Sequence, residues 1–241
     1  MSRPEARYEW LILQDGSLPL APDRTLVASE HACTVTLIWP ENKGPTNENS
    51  VVIDPCFTRS GWQAAIHRLA SVDATPEDIG FFFESHPHGD HRLHVPARRS
   101  FVGFRTRNRC EWRRLDPQAA ELSGITFVSC PGHEAKLQAV RFDDQTGETW
   151  VASDAVLNRD WLVAWEYYWP NVYSAHDVVE TWRSVAKIVT GADTIIPGHG
   201  APIGVDTGLL RDLIERFPNA EYARQCPDVL HALEIRLAGL R

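Results

Sequence analysis

Three histidines and one aspartate lie within six residues of this chain, and they constrain its fold more than any other feature. They are His86, His88, Asp90 and His91. Shortly before them lies the apolar run Ile79–Phe83, which predicts a buried strand. Imidazole and carboxylate groups are ligands that suit zinc and neighbouring transition metals. Crowded together at a strand end, they are costly to bury without a cation. The segment therefore predicts a metal site in a loop at the end of a strand.

Further candidate ligands follow three other predicted strands. They are His133 after Ile125–Ser129, Asp154 after Thr149–Ala152 and His199 after Thr194–Ile196. Each of these two histidines comes after a Pro-Gly pair, which is typical of a turn. Because a sheet presents the loops at its strand ends to one common rim, we expect the seven side chains to meet there.

The rest of the chain alternates loosely between strands and helices. Apolar and alternating runs predict strands at Glu9–Gln14, Ala32–Trp39 and Ser50–Ile53, and a hairpin of Leu137–Phe142 with Thr149–Ala152. Helical spacing predicts helices at Trp62–Ala70, Asp177–Thr190, Leu209–Phe217 and Asp228–Leu240. Two similar halves of this kind indicate a layered α/β fold with sheets inside and helices outside. We expect one domain over residues 1–241, with C-terminal helices over 204–241.

Charge and composition narrow the classes of function. The formal net charge is −8, yet the segment 92–114 carries eight arginines against one acidic residue. A net acidic chain is a poor general binder of nucleic acid, although a local arginine patch can hold an anionic group. No apolar stretch reaches the ~20 residues that span a bilayer, and no secretory signal is visible, so we expect a cytoplasmic protein. Five scattered cysteines without a Cys-x-x-Cys pair favour free thiols.

At this point the sequence resembles the metallo-β-lactamase superfamily. The resemblance is carried by His-x-His-x-Asp-His after a strand, Pro-Gly-His, Ser-Asp and Pro-Gly-His-Gly, and it runs from about Val51, through the acidic strand end at Asp54, to about Pro202. It implies an αββα four-layer sandwich with a binuclear metal site on its edge. By the matching positions, one zinc would be held by His86, His88 and His133, the second by Asp90, His91 and His199, and Asp154 would bridge the two. The sequence departs from the family at Ser153, where glycine is frequent.

Such a pair of zinc ions implies a metallo-hydrolase. The two ions would lower the pKa of a bridging water toward neutrality, supply hydroxide as the nucleophile and polarise a substrate oxygen. Asp90 is the candidate catalytic residue, because it can position that water or shuttle its proton. Iron or manganese would fit the same ligands.

The substrate is indicated less directly. Six aromatic residues in the segment 161–173 can build an apolar wall for an acyl chain, and Trp165, Tyr167 and Tyr168 are the candidate substrate-binding residues. The size and ligand order are similar to the lactonase and glyoxalase II branches, which favours a carboxylic ester, lactone or thioester. In the arginine-rich insert 92–114, Arg98 and Arg105 are candidates for holding an anionic group.

Several alternatives stay open from the sequence. The arginines fit a phosphodiesterase or nuclease, and a single iron in the same ligands fits a persulfide-dioxygenase-like oxidoreductase. A non-catalytic binding module stabilised by metal is the third alternative. The aromatic residues also fit a cover over the helices or a homodimer contact. We expect a small-molecule substrate, with neither nucleic acid nor a membrane as a partner.

Overall fold

The computed structural model describes residues 6–21, 24–96, 112–117, 122–169 and 173–240. The chain divides into two compact units, Met1–Gly124 and Ile125–Arg241. Each unit has one five-stranded sheet and at least one α-helix. The predicted α/β composition is therefore confirmed for both units, while the expectation of one domain over the whole chain stays a prediction.

The sheet of the first unit follows the order of the chain, from β1 at one edge to β5 at the other. Its elements are β1 (Tyr8–Gln14), β2 (Val35–Pro40), β3 (Val51–Ile53), α1 (Arg59–Ala70), β4 (Phe81–Phe83) and β5 (Arg113–Arg114). Strands β1 to β3 pair antiparallel, whereas β3, β4 and β5 run parallel. The parallel register sets Ile53 opposite Phe83, so the loops that follow β3 and β4 leave the same edge of the sheet.

Helix α1 packs its apolar stripe into the core of this unit. The helix begins at Thr58, whose side chain accepts a hydrogen bond from the backbone of Gly61 at 2.9 Å. Its buried residues are spaced three or four apart and join one cluster with residues of the sheet: Trp62, Ala65 and Leu69 pack with Leu13, Leu37 and Val52. This packing fixes the sheet whose strand ends carry the histidine-rich loop.

The second unit holds the remaining strands and helices. They are β6 (Thr126–Ser129), β7 (Gln138–Asp143), β8 (Glu148–Ser153), α2 (Arg159–Ala164), α3 (Ala175–Gly191), β9 (Thr194–Pro197), β10 (Ile203–Gly204), α4 (Thr207–Arg216) and α5 (Pro227–Gly239). The sheet order is β10-β9-β8-β7-β6. Strand β7 is antiparallel to both β6 and β8, and β9 is parallel to β8, so β6, β8 and β9 all end at one edge. The strands that precede His133, Asp154 and His199 are these three.

The predicted elements match the structure within a few residues, and three short ones among the described β-strands and α-helices were not predicted. These are β5, β10 and α2, of two, two and six residues. Strand β5 consists of two exposed arginines that pair with β4, so no apolar pattern in the sequence predicts it. Such short elements exist because of a neighbouring strand or helix rather than because of their own sequence.

None of the helices in the described part of the chain is both long and apolar enough to span a bilayer. The four cysteines of this part, Cys33, Cys56, Cys130 and Cys226, are all free thiols, and Cys110 lies outside the described residues.

Candidate metal centre

The loop after β4 brings two imidazole nitrogens together in the first unit. His86 Nε2 and His88 Nδ1 lie 3.1 Å apart. At zinc-to-ligand distances of about 2.1 Å, tetrahedral geometry places neighbouring ligand atoms about 3.4 Å apart. The other ring nitrogen of His86, Nδ1, lies 2.9 Å from Ser85 Oγ, which fixes the plane of the ring. The pair therefore has the spacing that one metal ion requires of two ligands.

The next turn of the same loop supplies a second pair. Residues Gly89–His91 form one turn of 3₁₀-helix, which sets Asp90 Oδ2 at 3.6 Å from His91 Nε2. The His91 side chain is fully buried, whereas the Asp90 side chain keeps 31 % of its exposed surface. Packing therefore restrains the imidazole of His91 more than it restrains the carboxylate of Asp90.

Asp54 supports this loop from the end of β3, a role that the sequence analysis did not assign. Its carboxylate accepts hydrogen bonds from Ser85 N at 2.7 Å and Ser85 Oγ at 2.9 Å, and it contacts His91 Nδ1 at 2.9 Å. Burial raises the pKa of the Asp54 carboxyl, but the electrostatic attraction and hydrogen bond of His91, the nearby His86 and the bond from the Ser85 backbone outweigh it, so the pKa lies below its usual value. The ionised carboxylate holds the Nδ1 proton of His91 and leaves Nε2 for a metal.

In the second unit, the predicted ligands His133 and His199 both contact the carboxylate of the third predicted ligand, Asp154. Asp154 Oδ1 lies 3.1 Å from His199 Nε2, and Asp154 Oδ2 lies 3.3 Å from His133 Nε2. All three side chains are buried. Each oxygen of Asp154 thus faces a different histidine, which is the arrangement of a carboxylate that can bind two metal ions at once.

Both Pro-Gly-His turns need their glycine. A β-carbon at Gly132, where φ is +129°, would overlap the backbone and hydroxyl of Thr181. A β-carbon at Gly198 would overlap Asp154 Oδ1 itself. The glycines therefore let the backbone approach α3 in one case and the carboxylate in the other, and in this way they place His133 and His199.

Ser153, where the family often has glycine, adopts a left-handed conformation with φ of +48°. Asp54 does the same with φ of +51°. Non-glycine residues rarely adopt this conformation, and those that do concentrate at functional sites. The backbone conformation explains why glycine suits position 153.

Part of the aromatic segment surrounds His133. Tyr173 stacks on its ring with centroids 6.2 Å apart and donates a hydrogen bond from its hydroxyl to the His133 carbonyl at 2.8 Å. Tyr167 lies 5.6 Å from the same ring, and Trp169 lies between the two tyrosines at 4.4 and 4.2 Å. These rings form an aromatic cluster, Tyr167–Trp169–Tyr173, beside the metal-binding face of the second unit.

The predicted substrate-binding residues occupy different environments. Trp165 is buried, donates from Nε1 to the Leu213 carbonyl at 2.9 Å and packs against Trp182 and Phe217, so it belongs to the helix core of the unit. Tyr168 is partly exposed. Tyr167 lies beside His133, and its hydroxyl is buried without a hydrogen-bond partner among the described residues.

Burial, together with the nearby Asp154 and Tyr173, raises the pKa of the Tyr167 hydroxyl well above its usual value. The hydroxyl therefore keeps its proton at any ordinary pH and is available as a hydrogen-bond donor.

The arginine-rich insert is described only at its two ends. Arg98 and Arg105 lie outside the described residues. Arg114 forms an ion pair with Glu84 at 2.8 Å, and the Arg113 guanidinium stacks over Phe81 at 4.3 Å from the ring centroid. These two arginines are thus engaged within the first unit.

The donor chemistry fits metal ions in both units. All seven predicted ligands belong to groups of histidine and aspartate side chains that can hold a metal ion. Within each unit the measured pairs span 3.1 to 3.6 Å, close to the separation that a tetrahedral zinc imposes. Buried imidazole and carboxylate groups at this density are the expected ligands of zinc and its neighbours.

Two solved structures share the architecture. A provisionally assigned metallo-β-lactamase from Thermotoga maritima aligns with 82 % of this chain and 99 % of its own, at 17 % identity and a TM-score of 0.50. A provisionally assigned metal-dependent hydrolase from Staphylococcus aureus aligns with 83 % of this chain and 91 % of its own, at 12 % identity and a TM-score of 0.50. The chain has the metallo-β-lactamase fold. The resemblance seen in the motifs and the fold class are therefore confirmed.

At the level of sequence the likeness is weak. No protein-family model matches the chain, and no curated protein does so. The two aligned structures share 17 % or less of their residues with this chain, so the likeness concerns the fold alone.

We predict that Gly198→Ala lowers metal binding. The new methyl group must displace the Asp154 carboxylate, and the two ligand pairs that Asp154 forms are then lost together. Elemental analysis of the purified variant should find less metal per chain than in the parent. Gly204→Ala is the matched control, because nothing lies within 4 Å of its added carbon. Equal metal content in the two variants would contradict this interpretation of the turn.

A second prediction concerns Asp54. Asp54→Asn turns one of the two acceptor oxygens into an NH2 donor, so that the single remaining oxygen cannot serve both Ser85 N and His91 Nδ1, and the imidazole loses its fixed tautomer and orientation. We expect about 10- to 100-fold weaker metal affinity, the usual cost of losing such a supporting carboxylate. Competition with a chelator measures it. Asp15→Asn, an exposed aspartate paired with Arg68, should leave the affinity unchanged, and a parental affinity in Asp54→Asn would refute the role.

Proposed function

We propose that this protein is a metal-dependent hydrolase that uses two metal ions. The observation that carries the proposal is the position of Asp154, whose two oxygens face two different histidines at 3.1 and 3.3 Å. A carboxylate that serves a single ion does not need two separate histidine partners. The aligned protein from Staphylococcus aureus, a provisionally assigned metal-dependent hydrolase, agrees with the proposal.

The proposed metal ligands of the first unit are His86, His88, Asp90 and His91, and those of the second unit are His133, Asp154 and His199. Zinc is the metal that we propose, with iron or manganese as the other ions that suit these ligands.

Metal ions bound by these residues would lower the pKa of a water molecule and polarise a substrate oxygen. Residues of the chain itself fix the ligands and orient the water molecule. Asp54 and Ser85 fix the imidazoles of His91 and His86. Asp90, which is partly exposed, offers its carboxylate to orient a water molecule or accept its proton. The residues of the cluster thus position the reactants, while no serine nucleophile is required.

A carboxylic ester, lactone or thioester is the substrate class that we propose. The aromatic cluster beside His133 offers an apolar surface for an acyl or aryl group. The Tyr167 hydroxyl, protonated and buried near Asp154, can donate a hydrogen bond to the oxygen that gains negative charge when a carbonyl is attacked. Trp165 takes no part in this binding surface, because its ring and its nitrogen are both used in the helix core.

Removal of the metal tests the proposal directly. Chelated protein, shown by elemental analysis to be metal-free, should lose its hydrolysis of a panel of lactones, thioesters, β-lactams and phosphodiesters, and about two equivalents of zinc should restore it. Full activity without metal would exclude the proposed chemistry.

The same panel separates the alternatives. Turnover of carbonyl esters supports the proposed substrate class, whereas turnover of phosphodiesters alone would replace it by a phosphodiesterase and direct attention to Arg98 and Arg105. One equivalent of iron without any hydrolysis would favour an oxidoreductase. Metal that raises the melting temperature with no turnover would favour a binding module.

Tyr167→Phe tests the role of the hydroxyl. Loss of one donor to a developing oxyanion typically costs about 10²- to 10³-fold in kcat, and because the ring remains, KM should change little. Steady-state kinetics on the best ester of the panel measure both constants. Tyr222→Phe, at an exposed tyrosine, is the control. An unchanged kcat in Tyr167→Phe would remove this residue from the mechanism.

A further inference from the structure

His31, from the connection between β1 and β2, contacts one of the proposed metal ligands. Its Nε2 lies 2.7 Å from Asp90 Oδ2. The two residues are 59 positions apart in the sequence, and His31 belongs to none of the metal motifs. The contact therefore joins the β1–β2 connection to the histidine-rich loop inside the first unit.

The direction of this hydrogen bond follows from the chemistry of its two groups. An ionised carboxylate has no proton to give, so the atom that donates across 2.7 Å is His31 Nε2. A neutral imidazole with its proton on Nε2 is sufficient for this role. The Asp90 oxygen that accepts this hydrogen bond, Oδ2, also lies 3.6 Å from His91 Nε2.

The backbone holds His31 in place from both sides. Ser17 exchanges two backbone hydrogen bonds with Ala32, at 2.7 and 3.1 Å, and its hydroxyl donates to the Glu30 carbonyl at 2.7 Å. The residues immediately before and after His31 are thus tied to one serine. This clamp gives the imidazole a defined position from which to reach Asp90.

We infer that His31 is a positioning residue, which holds the Asp90 carboxylate in the orientation that metal binding requires. The inference rests on the proposed function, since it takes Asp90 to be a ligand. His86, His91, His133, Asp154 and His199 are all buried, so that packing restrains them, whereas His88 and Asp90 are partly exposed. Asp90 is the partly exposed carboxylate of the set, with 31 % of its side-chain surface accessible, and a fixed donor restrains it where packing does not.

Loss of the imidazole should not disturb the core. His31 borders an open cleft of about 320 Å³, lined also by Ser17, Glu30, Thr58 and Gly61. Truncation of His31 to alanine enlarges this water-accessible cleft, so we expect a smaller stability cost than a sealed void would bring. A variant at this position therefore reports on Asp90 rather than on folding.

The test compares His31→Ala, His31→Gln and the control His67→Ala, whose histidine is exposed on α1. In Gln, the amide nitrogen can replace Nε2 as a donor. We expect His31→Ala to bind one of its two metal equivalents about 10- to 100-fold more weakly, as measured by competition with a chelator. With saturating metal, kcat should fall while KM stays near the parental value. His31→Gln should recover most of both properties, and His67→Ala should match the parent.

Three outcomes would overturn the inference. Parental metal affinity and kcat in His31→Ala would show that Asp90 needs no such partner. Equal losses in His31→Gln and His31→Ala would show that the hydrogen bond is not the cause. A lower melting temperature with parental metal affinity would assign His31 to loop stability. Failure of the parent protein itself to bind metal would instead refute the proposed function, and the inference with it.

Discussion

The buried hydrogen bond between Asp54 and His91 is the interaction on which the histidine-rich loop depends. An ionised carboxylate this deep in a protein needs compensation, and Asp54 receives it from the backbone and hydroxyl of Ser85 as well as from His91. These bonds exist because β3 and β4 are parallel neighbours, so that the residues following Ile53 and Phe83 emerge side by side. The same carboxylate that anchors the loop also sets which nitrogen of His91 faces the ligand cluster.

In the second unit, backbone geometry rather than a supporting carboxylate positions the ligands. Its three ligands follow β6, β8 and β9, which end at the same edge of the sheet. Asp154 can divide its oxygens between His133 and His199 only because Gly198 leaves room against Oδ1 and Gly132 lets the chain pass close to Thr181. In this unit, therefore, glycines in tight turns position the ligands, as the Asp54 carboxylate does in the first unit.

The aromatic segment shows how one run of similar residues divides between stability and function. Trp165 closes helix α2 in a left-handed conformation and directs its ring into the core formed by Trp182 and Phe217. Two residues later, Tyr167 lies beside His133 and near Asp154 instead, and Tyr173 stacks on the ring of His133. Composition cannot distinguish the helix core from the surface beside His133, because a tryptophan and a tyrosine are equally suited to a core and to a binding surface.

The sequence by itself determined the α/β class, most strand and helix positions, the metal motifs and the family resemblance, because apolar periodicity and the local spacing of His, Asp and Pro-Gly are readable along the chain. It did not determine the contacts between residues distant in sequence. Asp54 appeared only as an acidic strand end, and His31 gave no signal at all, since its partner Asp90 is 59 positions away. Strand β5 and the core position of Trp165 were decided in the same way, by which neighbour lies beside them. Local pattern specifies elements and ligand types, whereas strand pairing and packing in three dimensions decide which side chains support them.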